Sequence, residues 1–341
     1  MPTVLFQDGT HYVNPSVQQL AEKLNLTIRA GGDFYDVIIV GGGPAGLMAS
    51  IYTGREDIST LVIDSGALGG QAATTAMLEN FPAFDEGIGG PELAERLGKQ
   101  SRRFGAETLV AQDVTSIAVR NGYKLVTTSL GDEYCASAII LTPGATYRRL
   151  QVPGEDKFIG AGVHFCATCD GPFYQGEELL VVGGGDSGVQ EGIFLTKFAT
   201  KVTIIEISDS LKASKILQER AYSDPKVAVM TNTTVQEFKG DQRLRSVVLQ
   251  NSKSGESQEI SPAAAFIFIG LVPNTGFLKG VVDLDDWGNI KTSPSLETNI
   301  EGIFAAGDAR KGSTKQVAAA VGEGATAALM VRHYLETHRS R

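Results

Sequence analysis

The sequence contains one pattern twice: an apolar run, a glycine-rich turn, a helix-like segment and, at the end of the next apolar run, an acid. In the first copy the turn covers residues 41–46, and the acid is Asp64, 23 residues after Gly41. In the second copy the turn covers residues 183–188, and the acid is Glu206, again 23 residues after Gly183. One G-x-G-x-x-G alone is a weak signal, but two copies in the same register predict an α/β protein with two Rossmann-like dinucleotide-binding domains.

Each turn carries residues suited to hold a dinucleotide. The first glycine permits a tight turn, the second lets a pyrophosphate approach the backbone, and the third lets helix and strand pack closely. The phosphates would lie at the helix N-terminus, and the acid can hydrogen-bond ribose hydroxyls. The candidates in the first copy are Gly41, Gly43, Pro44, Ala45, Gly46 and Asp64. Those in the second copy are Gly183, Gly185, Asp186, Ser187, Gly188 and Glu206.

The C-terminal third is predicted to complete the first site. A short apolar strand ends at Gly307 and Asp308, and an apolar helix is predicted over residues 316–335. An Asp at this strand end can accept a hydrogen bond from a ribityl hydroxyl, and the helix N-terminus can face the pyrimidine end of a flavin. The first site is therefore predicted to hold FAD.

The order of these segments predicts a domain inserted into another. Apolar strands ending in glycine, at residues 139–144 and 266–270, mark the places where the chain leaves one domain and re-enters it. We predict a FAD-binding domain of residues 35–148 and 275–341 and an inserted pyridine-nucleotide-like domain of residues 149–274. Residues 1–34 form an extension, in which Asn14 and Ser16 flank Pro15 and predict the start of a short helix.

A pair of cysteines lies just ahead of the second turn. Cys166 and Cys169 are separated by two residues and can close a small disulfide ring, and Asp170 can supply or accept the proton of each exchange step. A structural zinc site needs four ligands, whereas the chain adds only Cys135 and four scattered histidines. We therefore predict a redox-active dithiol and no metal site.

Composition narrows the choice of partners and compartment. The net charge of −9 argues against a nucleic-acid partner. No apolar run approaches the ~18 residues that a membrane span needs, and the N-terminus lacks the pattern of a signal peptide. Three cysteines cannot form the disulfide framework of a secreted protein. A cytoplasmic protein with no membrane partner is expected.

From Tyr35 to the C-terminus, these motifs together resemble the low-molecular-weight, bacterial-type thioredoxin reductase family, which has the FAD/NAD(P)-linked disulfide reductase fold. The resemblance rests on residues 41–46, 69–71, 166–171, 183–188 and 307–308. It implies that Cys169 faces the flavin and forms the charge-transfer thiolate, that Cys166 exchanges with the disulfide of a thioredoxin or thioredoxin-like protein, and that Asp170 is the acid/base. It also implies a homodimer. The FAD-binding residues that it adds are Gly70, Gln71, Asn80, Gly144, Lys315, Gln316 and Val317.

One segment departs from the NADPH-dependent members. Those proteins carry His-Arg-Arg and a further Arg to bind the 2′-phosphate, whereas this chain has Glu206-Ile207-Ser208 and Lys212. A carboxylate opposes a phosphate but suits a free ribose diol, so NADPH is doubtful and NADH is favoured. Residues 202–213 are also similar to the NADH-using flavoprotein component of alkyl hydroperoxide reductase. Two alternatives stay open: a reductase that uses no pyridine nucleotide and is fed by ferredoxin or another carrier, and a flavin-based redox sensor.

Overall fold

The computed structural model describes residues 3–6, 8–24, 29–74, 78 and 80–338, without the side chains of Val17, Gln18, Ala21, Thr168 and Cys169. The chain divides into two compact units, of which one comprises Met1–Thr146 and Pro273–Arg341 and the other Tyr147–Val272. The second unit is thus inserted into the first. The extension lies within the first unit, and both divisions come two residues before the boundaries proposed from the sequence.

The helices and strands are numbered in chain order. The elements before the first division are β1 (Thr3–Leu5), β2 (His11–Val13), α1 (Val17–Lys23), β3 (Phe34–Val40), α2 (Pro44–Arg55), β4 (Thr60–Ile63), a 3-10 helix (Gly70–Thr74), α3 (Gly90–Arg103), β5 (Glu107–Leu109), β6 (Val114–Arg120), β7 (Tyr123–Thr128), β8 (Glu133–Leu141) and β9 (Ala145–Tyr147).

The inserted unit and the return to the first unit supply the rest. The elements are α4 (Glu155–Phe158), β10 (Val163–His164), α5 (Ala167–Asp170), a 3-10 helix (Gly171–Tyr174), β11 (Glu178–Val182), α6 (Asp186–Leu195), β12 (Lys201–Ile205), α7 (Lys215–Ser223), β13 (Val227–Met230), β14 (Thr233–Gly240), β15 (Leu244–Asn251), β16 (Ser257–Ile260), β17 (Ala264–Ile267), β18 (Leu271–Pro273), a 3-10 helix (Gly276–Leu278), β19 (Ile303–Ala305) and α8 (Val317–His338).

The first unit is built on one mixed sheet. Its described strands run in the order β5-β4-β3-β8-β7-β6, and β19 pairs with the C-terminal part of β8. The strands around β3 are parallel, whereas β6 and β7 are antiparallel additions at one edge. Val37 and Ile39 pack into the core on the α2/α8 side, while Ile38 and Val40 enter the core on the opposite face. Both faces of β3 are buried, which explains its continuous apolar run.

The inserted unit repeats this construction. Its parallel sheet has the order β10-β17-β11-β12-β13, and β14, β15 and β16 form a separate antiparallel sheet. Leu179 and Val181 pack on one face of the sheet, and Leu180 and Val182 pack on the other. Two Rossmann-like folds of α/β class, as the two glycine turns predict, are therefore present.

The extension begins with a β-hairpin and the predicted short helix. β1 and β2 pair in an antiparallel register, and α1 begins with a capping box in which Ser16 and Gln19 exchange hydrogen bonds. The helix was predicted from Asn14 and Ser16, but three-residue strands are too short for their alternation to reveal the hairpin. No helix in the described part of the chain is long and apolar enough to cross a membrane.

Candidate active site

The first glycine turn follows β3 directly and leads into α2. Gly41 has φ +108°, and a Cβ there would collide with the carbonyl oxygen of Thr142 at the end of β8. A Cβ on Gly46 would collide with the carbonyl oxygen of Gly41. Both positions need glycine because of backbone geometry and packing within the protein. The second turn repeats both features, since Gly183 has φ +120° and a Cβ on Gly188 would meet its carbonyl oxygen.

The middle glycine of each turn is different. Gly43 has φ −73°, which any residue can adopt, and the nearest heavy atom to an added Cβ would be the Gly70 Cα at 3.9 Å. An added Cβ on Gly185 would have nothing within 4 Å. Neither glycine is required by the described protein atoms. Each lies at the N-cap of a helix, where a bound phosphate needs open backbone. Both turns therefore fit a dinucleotide.

The two acids occupy equivalent places. The Asp64 carboxylate accepts hydrogen bonds from the backbone N–H groups of Gly42 at 2.6 Å and Gly66 at 2.7 Å. The Glu206 carboxylate accepts from Gly184 at 2.8 Å and Ser208 at 2.9 Å. In each case one donor is the residue directly after the first glycine of the turn, Gly42 or Gly184, and the other is the residue two places after the acid. The acid therefore stabilises the turn whether or not a ligand is bound.

The pKa values of these two acids shift in opposite directions. Burial raises the pKa of Asp64 above its usual range, against the opposing effect of the Gly66 and Gly42 hydrogen bonds. Burial also acts to raise the pKa of Glu206, but the Ser208 and Gly184 hydrogen bonds and the Lys212 charge outweigh it, so that this pKa is lowered. Glu206 is therefore an anion at neutral pH.

Other predicted FAD residues gather around the first turn. A Cβ on Gly70 would lie 3.1 Å from the Gly43 Cα, and one on Gly307 would lie 3.0 Å from the Ala45 Cβ. The side-chain amide of Asn80 donates to the Gln316 side-chain oxygen at 2.8 Å, which joins two segments 236 residues apart. Gln71 lies in the 3-10 helix after Gly70, Gly144 follows β8 with φ +67°, and Val317 begins α8.

The turn after β19 is held by charged groups. The Gly307 backbone N–H donates to Glu323 at 2.8 Å, and the same carboxylate forms an ion pair with Arg310 at 2.5 Å. Asp308 is half-buried, and burial raises its pKa. The Lys315 ammonium donates to the backbone carbonyl of Asp308, and burial lowers the pKa of this lysine. Reasoning from the sequence missed Arg310 and Glu323, because no local motif relates them.

Two further residues beside the first site were also missed. The Thr142 hydroxyl donates to the carbonyl oxygen of Gly41 at 2.8 Å and so fixes the first turn from β8. The Gln112 backbone N–H donates to the carbonyl oxygen of Asp64 at 3.0 Å. Its side-chain amide is buried with no hydrogen-bond partner among the described residues. A buried amide without a partner is costly, so Gln112 is consistent with a ligand at this site.

The side chains of Ile207 and Lys212 follow Glu206 along the loop after β12. Ile207 is 65% exposed and apolar. The Lys212 ammonium is exposed and lies 3.9 Å from the Asp209 carboxylate, while its backbone N–H donates to Gly184. Asp186 accepts from the Ser214 backbone N–H at 2.7 Å, and Ser187 is exposed on the first turn of α6. Asp186 thus ties the loop after β12 to the start of α6.

The dithiol segment lies on the inserted unit. Cys166 is disulfide-bonded, whereas Cys135 is a free, half-buried thiol whose pKa is raised by burial. The Cys169 side chain lies outside the described atoms, so its pairing with Cys166 stays a prediction. The Asp170 backbone N–H donates to the carbonyl oxygen of Cys166 at 3.2 Å, so one helical turn holds a disulfide sulfur and a carboxylate. No cluster of three or more potential metal ligands occurs among the described residues.

Two dinucleotide-type folds and a disulfide beside a carboxylate define a nucleotide-linked disulfide oxidoreductase. Residues 35–324 match the family model of the pyridine nucleotide-disulphide oxidoreductases. The chain is 44% identical to the thioredoxin reductase of Bacillus subtilis over 303 residues, which cover 89% of this chain and 95% of that protein.

Solved structures agree with this relationship. The crystal structure of Lactococcus lactis thioredoxin reductase in its FR conformation is 40% identical, with a TM-score of 0.76 over 89% of this chain and 99% of that one. The structure from T. acidophilum is 32% identical, with a TM-score of 0.74 over 90% and 99% of the two chains. The chain therefore belongs to the thioredoxin reductase family of the low-molecular-weight bacterial type and is a flavoprotein disulfide oxidoreductase.

Proposed function

We propose that this enzyme reduces the disulfide of a thioredoxin or thioredoxin-like protein through Cys166 and Cys169, with electrons that come from NADH through FAD. The observation that carries the proposal is the Asp170 carboxylate one helical turn from the disulfide-bonded Cys166, on a unit with its own nucleotide turn. The thioredoxin reductases among its relatives support thioredoxin as the partner. An anaerobic assay with NADH and oxidised thioredoxin, which follows NADH loss and the new thiols of thioredoxin, tests it.

The first turn is where FAD would bind. When bound, FAD carries two electrons between a pyridine nucleotide and a disulfide. Gly43 would admit the pyrophosphate at the start of α2, and Asp64 would accept from ribose hydroxyls. Asp308 would accept from the ribityl chain, and Gln112 would satisfy its buried amide on the bound group. The remaining contacts would come from Pro44, Ala45, Gly70, Gln71, Asn80, Gly144, Gly307, Lys315, Gln316 and Val317.

The exchange with thioredoxin proceeds in two steps. Asp170 takes the proton of the Cys166 thiol, and the thiolate attacks one sulfur of the partner disulfide. A bond between Cys166 and the partner forms, the partner disulfide breaks, and the leaving thiolate takes a proton from Asp170. Cys169 then gives its proton to Asp170 and attacks the Cys166 sulfur, the bond between Cys166 and the partner breaks, and the second partner thiolate takes that proton from Asp170. The enzyme dithiol is oxidised to a disulfide, and the partner gains two electrons and two protons.

The charge of the second site favours NADH. Glu206 is an anion bonded to Gly184, as Asp64 is bonded to Gly42, and Asp64 belongs to the site proposed for FAD, whose ribose diol is free. The same arrangement suits the free diol of NADH and repels a 2′-phosphate. A nucleotide-independent enzyme fed by ferredoxin or another carrier is the second candidate, because turns such as residues 183–188 also serve as plain strand-helix junctions. We also propose that the enzyme acts as a homodimer.

The two middle glycines allow a paired test of the nucleotide sites. Gly43→Ala should leave the fold of the apoprotein intact, since its backbone angles suit alanine and the added carbon meets no protein atom closer than 3.9 Å. A methyl group in the path of the pyrophosphate should cost about 1–3 kcal/mol, or roughly 10- to 100-fold in FAD affinity. FAD titration of the apoprotein, with its melting temperature as the check on folding, measures this.

Gly185→Ala is the matched control. It should leave FAD binding unchanged and raise the Michaelis constant of the pyridine nucleotide by roughly 10-fold or more, for the same steric reason. Identical FAD titrations of the parent and the Gly43→Ala protein would show that no cofactor occupies the first turn.

Asp170→Asn should slow turnover with thioredoxin by roughly 10²-fold, the usual effect of removing a positioned acid/base. The amide keeps the size of the side chain but cannot exchange a proton with the thiols. Steady-state turnover at saturating donor measures the loss. Asp156→Asn, which removes an exposed carboxylate of the same unit, should turn over normally. Near-normal turnover of Asp170→Asn would reduce this residue to a structural part of the turn.

A further inference from the structure

Asp170 is one end of a chain of three polar side chains on the inserted unit. Its Oδ1 lies 3.2 Å from Nδ1 of His164, and Nε2 of the same imidazole lies 2.8 Å from the hydroxyl of Tyr174. His164 is the last residue of β10, Asp170 ends α5, and Tyr174 ends the following 3-10 helix. Three consecutive short elements thus place these groups in one line.

The histidine is fixed in place by burial and ring packing. Its side chain is 7% exposed. The Phe266 ring on β17 lies 5.4 Å from the imidazole centroid, and the Tyr174 ring lies 5.5 Å away. A buried imidazole with both nitrogens engaged has little freedom to rotate. His164 can therefore set the orientation of the groups that it bonds.

The partners determine which nitrogen carries the proton. A carboxylate only accepts hydrogen bonds, so the tautomer that suits the 3.2 Å contact carries its hydrogen on Nδ1, facing Asp170, and accepts at Nε2. Burial raises the pKa of Tyr174, as does the Asp170 charge, while Arg243 opposes the rise. The phenol thus stays protonated and donates its O–H to Nε2. The chain runs from Tyr174 through His164 to Asp170, with each donor facing an acceptor.

We propose that His164 is a positioning residue for the acid/base Asp170: its Nδ1–H holds one carboxylate oxygen, and the Tyr174 hydroxyl fixes the donating tautomer. The inference rests on the acid/base role proposed above for Asp170. Holding Oδ1 fixes the orientation of the carboxyl group one helical turn after Cys166, and no described residue bonds Oδ2, which is left to exchange the proton.

The charged and titratable groups around this chain are few among the described residues. Asp170 faces His164 from α5, Tyr174 faces it from the 3-10 helix, and Phe266 on β17 is uncharged. Arg243 acts on Tyr174 electrostatically, and Cys166 adjoins Asp170 through its backbone carbonyl. These are the groups through which a pH dependence of the exchange step can arise.

The test follows a single exchange half-reaction that needs no pyridine nucleotide. Holoenzyme is reduced with dithiothreitol, freed of it by gel filtration under nitrogen, and mixed with 5,5′-dithiobis(2-nitrobenzoic acid) at a series of pH values. Here Asp170 takes the proton of the attacking thiol, so the rate is expected to fall on the acid side of the profile. His164→Phe keeps a ring against Phe266 but removes the donor. The acid side of the rate–pH profile, called the acid limb below, should then move to higher pH by about one unit. At pH values on that limb the rate should be roughly tenfold lower than in the parent.

Two conservative variants separate the donor from simple packing. His164→Asn places an amide N–H near the position of Nδ1 and should return the acid limb to within a few tenths of a unit of the parent. His164→Gln reaches toward Tyr174 instead and should behave like His164→Phe. The inference is overturned if the limb of His164→Phe is unshifted, or if the Asn and Phe variants shift it equally. Circular dichroism and FAD content confirm that each variant is folded.

Asp170→Asn provides the reference. If it abolishes the acid limb while His164→Phe leaves the limb in place, the role of His164 is wrong and the acid/base role of Asp170 stands. If Asp170→Asn itself retains the limb, the acid/base assignment fails, and the inference about His164 fails with it.

Discussion

Cys166→Ser is expected to abolish the reduction of thioredoxin completely while leaving the flavin reducible by its donor. A serine hydroxyl cannot form a disulfide and is not ionised at neutral pH, so both exchange steps are lost, whereas the nucleotide turns are unchanged. Stopped-flow reduction of the flavin by the donor, followed by addition of oxidised thioredoxin, separates the two half-reactions. The first should proceed at the parental rate, and the second should be absent.

The third cysteine supplies the control. Cys135 is free and half-buried at the start of β8, on the other unit, so Cys135→Ser should turn over like the parent. The order of the two sulfurs is tested by spectra. Cys166→Ser should show a long-wavelength absorbance band that Cys169→Ser lacks, if the Cys169 thiolate is the sulfur that faces the flavin. Equal spectra would contradict the assigned order, and thioredoxin reduction by Cys166→Ser would contradict the proposed exchange.

The enzyme is expected to use NADH with a kcat/KM roughly 10²- to 10³-fold above that for NADPH. At an effective dielectric near 20, two like charges about 5 Å apart repel by roughly 3 kcal/mol. A 2′-phosphate with about two charges would double this repulsion, and salt would screen part of it. If about 3–4 kcal/mol of this repulsion remains after screening, the kcat/KM for NADPH is lower by about two to three orders of magnitude. Because the pKa of Glu206 is lowered, this carboxylate itself should add no pH dependence to the preference near neutrality.

Variants of one side chain test this electrostatic argument. Glu206→Ala should lower the kcat/KM for NADH and reduce its ratio to the kcat/KM for NADPH. Glu206→Gln should have the same effect while it keeps a hydrogen-bond acceptor for the Gly184 N–H. Glu219→Ala removes an exposed carboxylate on α7 and should leave the ratio of kcat/KM for NADH to that for NADPH unchanged. Efficient reduction by NADPH in the parent would refute the argument. If neither nucleotide reduces the flavin, reduced ferredoxin is the next donor to titrate.

The sequence alone was sufficient for the fold class. Both glycine turns are local signals, because each needs only an apolar strand, a fixed spacing of glycines and an acid at the end of the next strand. The short helix at residues 17–23 was also predicted, because Asn14 and Ser16 flank Pro15 at its start, which is a local signal. The hairpin of β1 and β2 was not predicted, since its strands are shorter than the alternation that reveals a strand.

The tertiary structure distinguished glycines that look alike in the sequence. Gly41 and Gly46 are required by the carbonyl oxygens of Thr142 and Gly41, whereas a Cβ on Gly43 would meet only the Gly70 Cα, at an ordinary contact distance of 3.9 Å. The requirement at Gly41 cannot be seen in the spacing, because it depends on Thr142, which is about 100 residues away. The Asn80–Gln316 hydrogen bond and the hydrogen bond from Gly307 to Glu323 could not be predicted either, because each joins residues that are distant in the sequence.

The sequence by itself therefore determined the two nucleotide folds, because each is encoded by neighbouring residues and a repeated spacing. Only the tertiary structure decided that Glu206 is a buried, ionised partner of Gly184, and that His164 joins Asp170 to Tyr174. His164 precedes Asp170 by only six residues, yet no periodicity connects them. Their contact depends on a strand end, a turn of helix and the packing of Phe266, which are fixed only when the unit folds.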